Sequence, residues 1–166
     1  VKMSMEKHMV GMMYAPTNYL TLMVMSNYQV KEMKQKRMPM SGGAFFDVSS
    51  EGLGDLNLIQ LYRLKDSKKI KLHLGYQLSL PIGSIDERDS TPSSENVRLG
   101  YRMQNGTGTF DNALILNSLI NLNKIKIGGQ LFYKKHLGSV NDNKYKYGDF
   151  FNINLFIINK NDLPAK

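Results

Sequence analysis

From Ile70 to Leu80 the even positions Ile70, Leu72, Leu74, Tyr76, Leu78 and Leu80 are apolar or aromatic, while Lys71, His73, Gly75, Gln77 and Ser79 are charged, polar or glycine. Period-two alternation predicts a strand with one apolar face and one wet face. Its length exceeds the ~5–6 residues of an ordinary strand and matches the ~9–11 that cross a bilayer at a tilt. The same pattern recurs over Glu6–Tyr14, Tyr19–Val30, Asp55–Leu64, Phe110–Leu122, Lys124–Lys135 and Tyr145–Ile158. In the last of these Phe151, Ile153, Leu155 and Ile157 oppose Asn152 and Asn154. The pattern predicts about seven long strands and no helix.

The connections alternate in length. Short turns are expected at Ala15-Pro16-Thr17-Asn18, Lys65-Asp66-Ser67-Lys68 and Asn121-Leu122-Asn123, where proline, asparagine and serine favour reversal. Long links are expected at about Lys31–Gly54, Pro81–Thr109 and His136–Lys144. Short turns at one end and long loops at the other mark an up-and-down transmembrane barrel. The fold expected is therefore all-β: one domain over residues 1–166, an antiparallel up-and-down transmembrane β-barrel or the open part of one. A soluble ligand-binding barrel also alternates, with the opposite face inside, and that alternative stays open at this point. An odd strand number, and an end at Asn161–Lys166 that reads as the middle of a loop, suggest an incomplete barrel with parts missing at both ends.

Composition changes this picture little. Forty-two per cent hydrophobic residues and a mean hydropathy of −0.35 suit a folded chain. No run approaches the ~18 apolar residues of a membrane helix, and the segment that starts at Val1 does not read as a secretory leader. The absence of cysteine excludes disulfides, thiolate metal sites and cysteine nucleophiles. The net charge of +8 comes from scattered residues, such as Lys31, Lys34, Lys36 and Arg37, with no recognition helix or stacking motif. Nucleic acid is therefore not expected as a partner.

His8–Met23 resembles the strand–turn–strand of a family of outer-membrane transporters labelled for the meta-pathway of phenol degradation. Three further segments follow in the family's order: Ser50–Asp55, Leu78–Ile85 and Tyr101–Asp111. The resemblance covers roughly Met3 to Asp111. It implies a barrel in the outer membrane of a Gram-negative bacterium, with membrane lipid and a small solute, aromatic compounds among them, as partners. Members are longer at both ends and run through more strands to a final aromatic residue, which Lys166 is not.

Within a barrel the two faces acquire roles. Leu72, Leu74, Tyr76, Leu78, Ile153 and Leu155 are expected against lipid, and Arg63, Lys71, His73, Gln77, Lys126 and Lys134 against the lumen. Basic side chains on a pore wall favour anions. Tyr14, Tyr19 and Tyr62 flank the short turns, and Tyr28, Tyr76 and Tyr133 sit toward strand ends, as an interfacial girdle requires.

Few residues suggest chemistry. All eleven methionines except Met103 lie at or before Met40. Met3, Met5 and Met9 share a strand face with His8 on the other, Met23 and Met25 share a face, and Met33, Met38 and Met40 are expected in the first long loop. Thioethers select Cu(I), and histidine can join them; methionine is equally an apolar filler. Gly52-Leu53-Gly54-Asp55 fits a rim bend better than a phosphate loop, which needs a following helix. Asp86-Glu87-Arg88-Asp89 could offer oxygens to Ca²⁺ but lacks a calcium-loop spacing and reads as a solvated loop. Asn105-Gly106-Thr107 has the form of a glycosylation acceptor by chance. His8, His73 and His136 fall on separate strands or strand ends. No nucleophile elbow, acid–base pair or dinucleotide fingerprint is present, so neither an enzyme nor a cofactor is expected.

Overall fold

The computed structural model describes residues 2–36, 45–138 and 140–159. The strands are β1 (Lys2–Tyr14), β2 (Leu20–Lys36), β3 (Phe45–Leu53), β4 (Leu56–Asp66), β5 (Ile70–Leu80), β6 (Arg88–Thr91), β7 (Ser94–Arg98), β8 (Asp111–Asn121), β9 (Ile125–His136) and β10 (Phe150–Asn159). A 3-10 turn at Tyr101–Met103 is the sole helical element among the described residues. The main sheet is antiparallel, in the order β1-β2-β4-β5-β8-β9-β10, with β3 also paired to β2. β3 and β4 follow one another along β2, so seven strand positions form a strongly curled half-barrel. Among the described residues β1 pairs only with β2 and β10 only with β9, which leaves the half-barrel open between them.

The register sorts the faces. Leu74 lies opposite Tyr62 and Leu116, and Leu116 opposite Leu131. One residue along, His73 lies opposite Arg63 and Asn117, and Asn117 opposite Gln130. The polar row is the more buried. Ser79 is 2% exposed, whereas Leu74, Ile153 and Leu155 are 43%, 53% and 78% exposed. Apolar side chains therefore cover the convex face, and polar ones share the concave face with a smaller apolar set. Gly75 belongs to that set: a side chain there would collide with Leu61 and Ile115, which close over its bare backbone from β4 and β8.

Two expected links contain strands. β2 runs on to Lys36 and β3 occupies Phe45–Leu53, within the stretch expected as the first long loop. Here Lys31 and Ser50 interrupt the inward row of Met33, Phe46 and Val48, so the hydrophobic periodicity is broken. Met33, expected in that loop, is part of β2; Arg37, Met38, Met40 and residues 160–166 lie outside the described residues. The Pro81–Thr109 link holds the β6–β7 hairpin as well as the 3-10 turn. β10 starts at Phe150 rather than Tyr145, because Tyr145 is held in the preceding loop: its carbonyl accepts from Asn141 N and its N–H donates to Asn141 Oδ1.

The upper parts of β1 and β2, with β3, extend the wall past the rim set by Leu56, Leu80 and His136. Their inward face carries the buried cluster Met33, Val48, Leu99 and Met103, with Phe46 against it. Burying each such side chain contributes about 1.5–3 kcal/mol. The 81–110 loop thus packs on the extension instead of trailing into solvent.

Candidate functional site

The mouth of the half-barrel is built by two carboxylates at strand starts. Asp55 follows Gly54 at the β3–β4 joint. Its Oδ1 accepts from Gly83 N at 3.1 Å, and its Oδ2 accepts from Thr107 N at 2.9 Å and Thr107 Oγ1 at 2.8 Å. One carboxylate therefore pins both ends of the 81–110 loop. Gly83 and Gly106 lie so close that a Cβ on either would strike the other's backbone. Asp111 opens β8 with its side chain fully buried. It meets Lys134 Nζ at 2.7 Å and His136 Nδ1 at 2.6 Å, and Thr109 Oγ1 donates to it at 2.9 Å. Burial of that carboxylate is tolerable because the Lys134 ammonium, the His136 ring and a hydroxyl surround it.

The extension treats the loop differently. Ser50 Oγ donates to Met103 O, Lys31 Nζ to Gln104 O and Gln29 Nε2 to Asn105 O. Three inward side chains thus serve three successive carbonyls, which explains why these polar groups are buried without loss. Burial pushes the Lys31 ammonium below its usual range, with Lys7 adding repulsion and Glu87 opposing.

The second loop joins the first at the mouth. Asn141 Nδ2 donates to Thr107 O and Asn143 Nδ2 to Ile85 O. Tyr101 stacks on Tyr145 at 3.4 Å between ring centroids, and Tyr147 meets the edge of Tyr145 and lies 5.3 Å from His136. Burial raises the Tyr147 phenol, with Tyr145, Asp55, Asp111 and Tyr101 adding to the shift.

Below the mouth the concave wall carries amides. Gln77 Nε2 donates to Asn57 Oδ1 at 2.7 Å, Gln130 Nε2 to Asn117 Oδ1 at 2.9 Å, and Asn154 Nδ2 to Gln130 Oε1 at 3.3 Å. A groove of about 350 Å³ lies among Lys71, His73, Asn117, Gln130, Asn154 and Phe156.

The register brings Arg63, Lys71, His73, Gln77, Lys126 and Lys134 to the concave face, and Leu72, Leu74, Tyr76, Leu78, Ile153 and Leu155 to the convex one. The basic wall is largely compensated. Arg63 Nη1 meets Asp66 Oδ2 at 2.7 Å, Lys71 Nζ meets Asp66 Oδ1 at 3.4 Å, and Lys134 is taken by Asp111. Sequence reasoning did not single out the partners Asp66 and Asp111. The signal for Asp55 and Asp111 is an acid that closely follows a glycine- or threonine-rich stretch at the start of a strand.

The acidic loop residues are occupied. Asp86 pairs with Arg98 at 2.6 Å and Arg88 at 3.2 Å, which holds its carboxyl below the ordinary range. Asp89 accepts from Ser49 N and Ser90 N, with the same effect. Among the described residues no three His, Asp or Glu side chains converge as metal ligands. Met3, Met5 and Met9 lie on the concave face, and His8 on the convex face opposite Tyr28.

No helix among the described residues is long and apolar enough to cross a membrane, which says nothing of strands. No protein-family model matches the chain, and no curated protein matches its sequence.

Proposed function

We propose that this chain forms part of a β-barrel in the outer membrane of a Gram-negative bacterium and gives small solutes a weakly selective route across it. This is the role of the transporter family that its segments resemble. The observation that carries the reading is the partition of faces. Leu74, Ile153 and Leu155 stand exposed on the convex side, while amides of Asn57, Gln77, Asn117, Gln130 and Asn154 line the concave one. A soluble ligand-binding barrel needs the reverse. Ten strand residues at ~3.3 Å each, tilted by ~40°, span roughly 25 Å, the height of the apolar band of such barrels. Tyr14, Tyr19 and Tyr62 stand exposed near the short turns, and Tyr76 and Tyr133 nearer the long loops, where an interfacial girdle belongs. Compensation of Arg63, Lys71 and Lys134 favours weak charge selectivity.

The test is partition. Full-length chain refolded with phosphatidylcholine vesicles is expected to float with them and to resist carbonate extraction. A chain that stays folded and soluble in buffer without detergent, and leaves vesicles unbound, overturns the reading.

A further inference from the structure

Every methionine of β1 and β2 apart from Met12 lies on the concave face. Three of them lie together beside one glycine. Met13 is directly opposite Met23, and Gly11 directly opposite Met25. Met13 follows Gly11 on its own strand face. Met25 leans across onto β1: its Cγ is 2.9 Å from where a Gly11 Cβ would stand. Glycine thus leaves room for the Met25 side chain to turn toward Met13 and Met23.

The surroundings are neutral. Asn27 lies opposite Met9, Asn57 opposite Met25 and Ile59 opposite Met23, and Glu6 and His8 belong to the other face. A hard cation finds no carboxylate there. Met9 lies on the far side of Gly11 from Met23 and shares its face with Lys7, so it stands apart from the group. The methionines farther up β1 are less suited. Met3 faces Met33, which is packed in the buried cluster, and Met5 faces the Lys31 ammonium.

We propose that Met13, Met23 and Met25 form a thioether site for a soft monovalent cation, Cu(I), on the concave wall beside Gly11. Soft thioethers select Cu(I) over harder ions. The site needs only the β1–β2 pairing, so it stands or falls separately from membrane insertion.

The test uses the full chain folded in detergent micelles, titrated anaerobically with Cu(I) against a chromophoric chelator. Leucine replaces methionine at nearly constant volume, and circular dichroism checks that each variant keeps its strands. Met13→Leu and Met25→Leu are each expected to weaken binding about tenfold. Met12→Leu, on the same strand but the other face, is expected to leave binding unchanged, as is His8→Ala. Methyl signals of Met13, Met23 and Met25, and not of Met12, are expected to shift with Cu(I). A native chain that binds no more tightly than the triple leucine variant overturns the proposal, and so does an equal loss in Met12→Leu.

Discussion

Thr107 is bound twice by Asp55, through its backbone N–H at 2.9 Å and through its hydroxyl at 2.8 Å. Asp55 also holds Gly83, so its removal frees both ends of one loop. Asp55→Ala is expected to cost about 2–4 kcal/mol locally. Hydrogen exchange checks this: the Gly83 and Thr107 amides should lose protection while amides between β8 and β9 keep theirs.

Asp111 is the more expensive residue to lose. Asp111→Asn leaves Lys134 and His136 without their anion in a mostly buried site, at a cost of about 3 kcal/mol. Urea unfolding in micelles should show the midpoint fall, and Asp66→Asn, whose partners are exposed, should move it by under ~1 kcal/mol.

The two wall faces should respond oppositely to charge. Leu74→Arg is expected to cost about 2–4 kcal/mol near the bilayer midplane, and Gln77→Arg under ~1 kcal/mol. Folding titrations in lipid vesicles measure both, and equal costs would contradict the face assignment.

Acid should loosen the 81–110 loop late. Asp86 and Asp89 have carboxyls held below their ordinary 3.8 by Arg88 and Arg98 and by the Ser49 and Ser90 amides respectively. Folding therefore favours their ionised forms. The support they lend is full above 3.8 and is lost as pH falls through their lower folded values. Carboxyl NMR titration should place both inflections below 3.8, and Ser49→Pro, which removes the donated N–H, should return that of Asp89 toward it.

The seven wall strands were legible because each carries one apolar face, and β5 matches its expected bounds at both ends. The β2–β3 extension was not, because the inward row that holds Met33, Phe46 and Val48 is interrupted by Gln29, Lys31 and Ser50. These side chains answer to carbonyls of a loop more than fifty residues away in sequence. Likewise Arg63 and Lys71 were readable as a basic wall, while their shared counter-charge, Asp66, sits at a turn whose geometry only the folded chain reveals.

The pairing of β1 with β2 runs from Tyr14↔Leu22 to Lys2↔Lys34 without a register shift, straight through the rim; only the third strand is jointed, at Gly54-Asp55. Two uninterrupted ribbons make the extension a mast rather than a flap. Mechanical load on its tip is carried down into the wall, so the mouth can widen only where the 81–110 loop peels away from a fixed support.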